Sequence, residues 1–411
     1  MVRRDYRGFP PQPIARFPIR QDQFITDALP PEVVAILRGV REAGLAPYRG
    51  VTTSGEVEPG LYLLDGVDEV DVPTMVQAAN DYLAALSPSE RHVGSLPLSA
   101  PELRVWTNAY TAWEPHGLLL DDLSHTQRDA ALGVLRASLS PRGYEQVRTV
   151  MRFNQILGEL VDDYHDSLKE FVYRFTIFGT PDPVQPWGWQ LSGHHLSAHC
   201  MLVGGQLVLT PTFMGAEPSY ADDGPWRGTQ IFVEEARSGL AMMNILDEEQ
   251  RATATLFPSM HAADLPPELN HPTEGRMRAG AGADNLTLGY QGLSAADMNA
   301  EQRDALLDVI GNYTDVNPTG AAGRRLDAVV RHLDNTHLSW VGQSGPSDSF
   351  FYRIHSPVVL IEFDHHAGVF LSNEDPMPFH AHTVVRTPNG NDYGLDLLRQ
   401  HRLAHDHDHP H

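Results

Sequence analysis

The sequence predicts an α+β protein, with a mainly helical first part and a mostly antiparallel β-sheet system formed by the middle and C-terminal segments. Two observations support this fold class. Between residues 24 and 165 the apolar side chains recur mostly with the spacing of helices. From residue 166 onward, runs such as VYRFTIFGTP are rich in β-branched and aromatic residues, which favour strands. Helices and strands that are separated along the chain are typical of α+β folds.

Four regions follow from these patterns. The segment before the first helix is rich in proline, which cannot donate to a β-ladder or continue a helix, so we expect an extended arm that lies on this fold or on a partner subunit. The last residues, HDHDHPH, are short and polar, and we expect disorder there. The predicted regions are the arm at 1–23, the mainly helical region at 24–165, the α+β region with the candidate site at 166–403, and the tail at 404–411.

Helices are predicted at 31–43, 72–86, 124–138 and 143–161 from their apolar spacing. One local pattern recurs in four places, where a short polar residue is followed three positions later by Glu or Gln. This is the spacing of a capping box, in which each side chain accepts a hydrogen bond from the other residue's backbone N–H. We interpret all four pairs as helix starts: Ser87 with Glu90, Ser124 with Gln127, Asp247 with Gln250, and Asn299 with Gln302.

The strands are predicted mainly after residue 170. Gly204 and Gly205 between two apolar runs indicate a two-residue hairpin. The chain returns to helix at 226–256, 299–313 and 324–334, with a long Gly/Pro/Asn-rich loop around 257–292. Further strands are predicted at 350–355, 357–364 and 379–386, before a last helix that begins near Tyr393.

Composition limits the choice of partners. The formal charge of −23 would repel a phosphate backbone, so we expect no nucleic-acid partner. No apolar stretch approaches the ~20 residues of a membrane span, and no apolar signal segment follows the N-terminal basic residues. Cys200 is the only cysteine, which excludes an intrachain disulfide. We therefore expect a cytoplasmic protein without a membrane partner. The sequence leaves a homo-oligomer open.

The histidines carry the main functional signal, because 12 of the 21 lie between His332 and His411. His380 and His382 form an H-x-H pattern in a predicted strand. Side chains alternate along a strand, so both rings project from one face and can share a metal ion. Arg386 continues that face, and we expect its guanidinium to hold an anionic group of a small substrate.

The remaining ligands are less clear. Glu362 is the first choice for a carboxylate ligand, because its charge amid the apolar residues of VVLIEFD needs a partner. His355 and the pair His194 and His195 are the other candidates, as ligands or as groups that move protons. Neighbours on a strand face opposite sides, so only one of the pair is expected to ligate unless a bulge re-aims it. His365, His366 and the tail histidines are interpreted as exposed.

The chain resembles the DUF3500 family of uncharacterised bacterial proteins. The resemblance rests on TIFGTPDPVQPWGWQLSGHHL, VGGQLVLTPTFMGAEP, YRIHSPVVLIEFD and HAHTVVRTPNGNDYGLDLL, and it spans about residues 75 to 400. It implies no activity, because the family has none assigned. The blocks that resemble the family contain His194, His195, Glu362, His380, His382, Arg386, Asp392 and Gly394.

These observations favour a metal-dependent enzyme that acts on a small anionic substrate. Two histidines and one carboxylate suit an Fe(II) centre that activates O₂, which is the preferred interpretation, whereas the same ligands with a bound water suit a Zn(II) hydrolase. Two alternatives remain open. The residues can form a polar pocket for a small anion without catalysis, or a buried hydrogen-bond network that stabilises the sheet.

Overall fold

The structure is a computed structural model that describes residues 5–12, 31–109, 116–162, 168–271 and 273–405, apart from the side chains of residues 32 and 33. Over these residues it has the predicted α+β organisation, with helices concentrated in the first part and strands in the middle and C-terminal parts. The α-helices of the described residues are α1 Pro31–Leu45, α2 Val72–Ala85, α3 Pro88–Gly94, α4 His125–Ser138, α5 Pro141–Leu160, α6 Val233–Asn244, α7 Glu248–Ala254, α8 Ala300–Thr314, α9 Thr319–Arg331 and α10 Leu395–His405.

The helix starts follow the capping signals. All four predicted capping boxes are formed, at the first residues of α3, α4, α7 and α8. In each box the cap side chain accepts from the backbone at the third helical position, and the Glu or Gln accepts in return from the backbone of the cap residue. The region predicted as one helical stretch at 226–256 is divided between α6 and α7, because Asp247 caps a new helix there.

One sheet contains all thirteen strands of the described residues, and all but two of its pairings are antiparallel. The strands are β1 Ser95–Leu96, β2 Leu118–Leu119, β3 Tyr173–Phe178, β4 Trp187–Gly193, β5 Leu196–Val203, β6 Gln206–Val208, β7 Thr212–Ala216, β8 Thr255–Phe257, β9 Leu293–Ser294, β10 His337–Gly342, β11 Phe350–His355, β12 Leu360–His365 and β13 Ala381–Arg386. Their order is β1-β3-β4-β5-β7-β13-β12-β11-β10-β8, with β2, β6 and β9 paired to β3, β5 and β10. The short β1 and β2 lie in the region that was predicted as mainly helical.

The two faces of the sheet are covered differently. On one face the helices α2, α4, α5, α6 and α8 bury a large apolar cluster against strand residues such as Trp189 and Tyr352. On the other face residues of the segment 258–292, among them Met277, pack on Phe213 and Val384. In its described residues this segment, predicted as a long loop, contains short 3₁₀ turns and isolated bridges. Residues 258–292, which we call the cover segment, therefore lie over the face of the sheet to which β13 contributes His382, Val384 and Arg386.

Residues 5–12 of the predicted arm pack on the rest of the protein. Tyr6 is buried, with its ring 5.0 Å from that of Tyr220 and 6.3 Å from that of Phe379. Pro11 forms an isolated bridge with Leu371. The tail prediction begins at residue 404, but α10 continues to His405, and the remaining tail residues lie outside the described part of the chain. None of the helices described combines the length and apolar character that a membrane crossing requires.

Candidate metal centre

The H-x-H pattern lies in the middle of the sheet. His382 is the second residue of β13, which is paired with β7 on one side and β12 on the other, and His380 precedes the strand by one residue. Both side chains are buried. Their Nε2 atoms lie 2.9 Å apart. The two rings therefore meet in the way that the alternation of side chains predicts.

A third imidazole comes from the turn between β4 and β5. Gly193 pairs with Leu196, so His194 and His195 are the two turn residues of a tight hairpin, and His195 has φ of 97°. The expectation that the pair lies in a strand with rings on opposite sides is wrong: the turn breaks the alternation, and the two rings stack with centroids 3.8 Å apart.

Backbone contacts hold His195 against the sheet. Its N–H donates to the carbonyl of Asn108 at 3.0 Å, and its carbonyl accepts from the N–H of Gly215 in β7 at 2.7 Å. These bonds place its Nε2 atom 3.3 Å from that of His382. A non-glycine residue at such a positive φ costs about 1–3 kcal/mol, and this strain is concentrated at functional sites.

His195, His380 and His382 form a group whose ligand atoms all lie within 4.8 Å of one another. Bonds of about 2.0–2.1 Å to one zinc ion place two nitrogens about 3.3 Å apart at a tetrahedral angle and about 2.9 Å apart at a right angle. The observed separations of 3.3 and 2.9 Å match these two values. The triad thus has the geometry of a set of ligands that share one cation.

Hydrogen bonds among the rings explain this arrangement less well. A neutral ring nitrogen carries either one hydrogen or one lone pair in the ring plane. The Nε2 atom of His382 faces the Nε2 atoms of both His380 and His195, so it satisfies only one of these contacts at a time. A cation between the three nitrogens would accept all three lone pairs at once.

The surroundings keep the triad neutral. Burial, and then the neighbouring imidazoles, hold the pKa of His195, His380 and His382 well below the usual value. The rings therefore keep their lone pairs at neutral pH, which is the form that binds metals. A buried lone pair without a ligand has little compensation.

A fourth histidine, His366, lies against the triad. Its Nδ1 donates to the carbonyl of Ala367 at 2.8 Å, which leaves the lone pair on Nε2. That Nε2 atom is buried, and no hydrogen-bond partner reaches it among the described residues. Its ring centroid lies 4.9 Å from that of His380 and 4.6 Å from that of His382. This is the tautomer of a metal ligand, with the second nitrogen fixed by a carbonyl.

The interpretation of His365 and His366 as exposed is wrong, because both side chains are buried. His365 is the last residue of β12, and its Nδ1 accepts from the N–H of Phe350 at 3.1 Å. The cover segment reaches His366: a Cβ atom on Gly275 would lie 3.1 Å from its Nε2. The sequence did not show that a loop from elsewhere packs over this strand end.

Glu217 is a buried carboxylate beside the triad that sequence reasoning missed. Its oxygens accept from the backbone N–H groups of residues 369–371 at 3.0–3.3 Å. Oε1 lies 3.8 Å from Nδ1 of His380. Burial raises the pKa of Glu217 to about 7, and the three amides oppose that effect. The 3.8 Å separation exceeds that of a hydrogen bond, and Nδ1 of His380 has no hydrogen-bond partner among the described residues. A glutamate directly after an apolar strand was the available signal.

Glu362 has a different role from the predicted one. Its Oε1 accepts from Nε of Arg353 at 2.7 Å, and its Oε2 accepts from the N–H groups of Arg278 and Ala279 at 2.9 Å. The structure therefore does not bring Glu362 to the triad, and the assignment as a metal ligand is corrected. The buried charge is compensated by an arginine directly opposite on β11 and by the cover segment.

Arg386 does not hold a free anion site. Its guanidinium donates to the carbonyls of Ala279 and Gly280, and its Nη1 also lies 2.8 Å from a carboxylate oxygen of Asp284 and 3.3 Å from one of Asp392. These contacts attach the cover segment to the sheet. The predicted contact with substrate is therefore corrected, because the described residues already occupy this side chain.

His355 is also separate from the triad. Its ring lies edge-on to Tyr290 at 4.7 Å, and its backbone pairs with His337 of β10. Neither of its ring nitrogens has a hydrogen-bond partner among the described residues. The group of converging ligand atoms does not include it. The metal-ligand assignment of His355 therefore has no geometric support.

A cavity of about 560 Å³ opens beside His195 and His382. Helix α1 supplies apolar side chains to one wall, and Met277 and Phe370 add more. Glu274 brings a buried oxygen, Oε2, that has no hydrogen-bond partner among the described residues. Burial and the nearby Glu362 raise its pKa to about 8.

Arg278 also lines this cavity, and it forms no ion pair within 4.0 Å in the described part of the chain. The cavity therefore places an apolar wall, the two acids Glu268 and Glu274, and the Arg278 guanidinium beside His195 and His382. Sequence reasoning did not single out Glu274 or Arg278, because the loop that carries them has no periodic pattern.

Comparison with known proteins gives a family but no activity. No curated protein and no solved structure matches this chain. Residues 68–395 match the family model described as "Protein of unknown function (DUF3500)", which covers most of the chain and includes the whole triad. The chain therefore belongs to the DUF3500 family.

Proposed function

We propose that the protein is a metal-dependent enzyme whose divalent ion is bound by His195, His380 and His382. The convergence of the three Nε2 atoms beside a cavity carries this proposal. Three imidazoles leave at least one coordination position for water or substrate. A structural metal would be closed by a fourth protein ligand and would need no adjoining cavity.

The ligand set favours zinc and hydrolysis over the oxidative use of iron. The iron interpretation rested on two histidines and one carboxylate, and the carboxylate in that set was Glu362, which is paired with Arg353. Three histidines with an open position are a ligand set of catalytic zinc, and the ion supplies a bound water of lowered pKa. Fe(II) remains the second candidate, because the 2.9 Å separation fits ligands at a right angle, as in octahedral sites.

Within this proposal Glu274 carries the proton that passes from water in the cavity to the leaving group. Its pKa of about 8 applies without a cation, and a nearby positive charge favours the ionised form. The Glu274 carboxylate, which lines the cavity, can then accept a proton from water there and return it to a leaving group. The carbonyl of Ala367 orients the ring of His366, and the carboxylate of Glu217 lies 3.8 Å from Nδ1 of His380.

The cavity suits a small substrate that is partly apolar and carries an acidic group. Its volume of about 560 Å³ is in the range of small-molecule sites, and the wall from α1 is apolar. Arg278 takes the part that the sequence assigned to Arg386, because its guanidinium lines the cavity without a carboxylate partner among the described residues.

Metal analysis tests the proposal. Protein that lacks residues 404–411, so that tail histidines cannot contribute, is expected to bind one equivalent of zinc. Substitution of His195, His380 or His382 by Ala should reduce the content below about a tenth of an equivalent, since loss of one of three ligands removes most of the affinity. The control is His261→Ala, because His261 is exposed and paired with Asp375. Full zinc content in His382→Ala would refute the proposal.

A further inference from the structure

A second cavity, of about 350 Å³, lies between α9, residues 60–68 and the end of β13. It shares no lining residue with the cavity at the triad. Its charged lining includes Arg324 and Arg325 of α9. Arg324 is already paired with Asp68, so its charge is compensated. Arg325, in contrast, has no carboxylate partner among the described residues.

The Arg325 guanidinium contacts only uncharged oxygens. Nη1 donates to the hydroxyl of Thr387 at 3.0 Å, and Nη2 donates to the carbonyl of Arg386 at 3.1 Å. No carboxylate lies within 4.0 Å of it in the described ranges. These two bonds use two of the five N–H groups of the side chain, so others remain for a ligand.

The acidic side chains that line this cavity already have a partner, because Asp65 and Asp68 both pair with Arg324. The buried Asp392 pairs with Arg386. Arg325 therefore has no carboxylate of its own among the described residues. Burial lowers the pKa of Arg325, and Tyr62 and Asp392 offset this only in part. A partly buried cation without a counter-ion is costly unless an anion joins it.

The rest of the lining points to an organic anion. Leu61, Val208, Val358 and Leu397 supply apolar surface, and the side chain of Asn391 adds an amide. A bare inorganic anion would leave the apolar side of the cavity without a partner, whereas a short alkyl chain would fill it.

We propose that this cavity is a second ligand site, which binds a small carboxylate with a short apolar chain. The carboxylate is held by the guanidinium of Arg325, in the charge-assisted geometry that arginine offers to carboxylates. The chain of the ligand lies against Leu61 and Val358. The site is separate from the metal centre and does not depend on the function proposed for it.

Calorimetric titration with hexanoate tests this site, with hexanamide as the neutral match. Hexanoate should bind saturably at one site, and hexanamide at least tenfold more weakly. Arg325→Gln should weaken hexanoate binding at least tenfold, because the uncharged amide cannot pair with the carboxylate. The matched control is Arg91→Gln, since Arg91 is exposed on α3 and lines neither of the two cavities. This variant should bind within about twofold of the unchanged protein.

A second variant covers the case in which Arg325→Gln does not fold. Ala328→Phe fills the cavity from α9 and leaves Arg325 in place, and it should also abolish hexanoate binding. His382→Ala should leave the binding unchanged, because His382 belongs to the other cavity. Equal affinity for hexanoate and hexanamide, equal affinity for inorganic phosphate, or unchanged binding in Ala328→Phe would overturn the proposal.

Discussion

The Nε2 atoms of His380 and His382 lie 2.9 Å apart at the centre of a thirteen-stranded sheet. At this distance, two buried neutral imidazoles form a hydrogen bond only if one nitrogen donates and the other accepts. The Nε2 atom of His382 is then used, and it cannot form a second hydrogen bond of this kind with His195. A shared cation removes this conflict. The following predictions distinguish residues that act on that cation from those that only support the fold.

His366→Gln should lower zinc affinity by about tenfold to a hundredfold without changing the stoichiometry of one. The reason is that the free lone pair on Nε2 of His366 lies beside the triad but outside its group of converging atoms. Competition with a chromophoric chelator measures the affinity. His261→Ala, at an exposed position, should bind zinc like the unchanged protein. Unaltered affinity in His366→Gln would show that this ring only packs.

His195→Gly and His195→Ala should both lose zinc, yet they should differ in stability. His195 has φ of 97°, which Gly adopts without strain and Ala does not. In the presence of a chelator, the free energy of unfolding should be about 1 kcal/mol higher for the Gly variant. Urea denaturation measures the difference. Equal stability of the two variants would mean that the turn relaxes when the ring is removed.

Glu362→Gln should destabilise the protein while leaving its zinc content unchanged. The substitution leaves Arg353 with an uncompensated buried charge, and breaking such a pair costs about 3–5 kcal/mol. Urea denaturation and metal analysis of the folded fraction provide the two readouts. Glu248→Gln, at an exposed position, is the control and should change neither. Loss of zinc from folded Glu362→Gln would restore this residue as a ligand.

Stability of the metal-free protein should fall as the pH drops below about 6.5. Burial lowers the pKa of His199 and of His355 to about 3, so each unfolded ring takes up a proton that the folded ring does not. Between those values each ring lowers the free energy of unfolding by about 1.4 kcal/mol per pH unit. The neutral rings therefore make their full contribution to the free energy of unfolding above pH 6.5, and this contribution is lost as the pH falls towards 3.

Urea denaturation at pH 7.5, 6.5 and 5.5 measures this slope. His355→Gln removes one titrating ring, so its slope below pH 6.5 should be shallower by the equivalent of one proton. Asn244→Ala, at an exposed position and without a change of titratable groups, provides the control and should leave the slope unchanged. An identical slope in His355→Gln would show that the ring titrates normally in the folded protein.

The sequence was informative where local rules decide the structure. Side-chain alternation in a strand predicted that His380 and His382 meet, and polar pairs three residues apart predicted four helix starts. The Gly204 and Gly205 hairpin between β5 and β6 is likewise confirmed, with both glycines at positive φ. In each case the signal and its partner lie within a few residues of one another.

The sequence was uninformative where residues from distant segments meet. Glu362 needed a partner, as predicted, but only strand register shows that Arg353 lies opposite it. His194 and His195 looked like strand residues because residues other than glycine are uncommon at positive φ, and only the pairing of Gly193 with Leu196 shows the turn. His366 looked exposed because its cover comes from Gly275, ninety-one positions away in the chain.

The segment 258–292 lines the cavity beside the candidate ligands but supplies none of these three histidines. The candidate ligands His195, His380 and His382 are fixed by a hairpin and a central strand, whereas Glu274, Met277 and Arg278 belong to a loop that is attached through the buried contacts of Arg386 and Glu362. Substitutions within that loop can reshape the chamber while the imidazoles keep their places. Under the proposed function, a change in this loop would alter which molecules the cavity admits without moving the three ligand nitrogens.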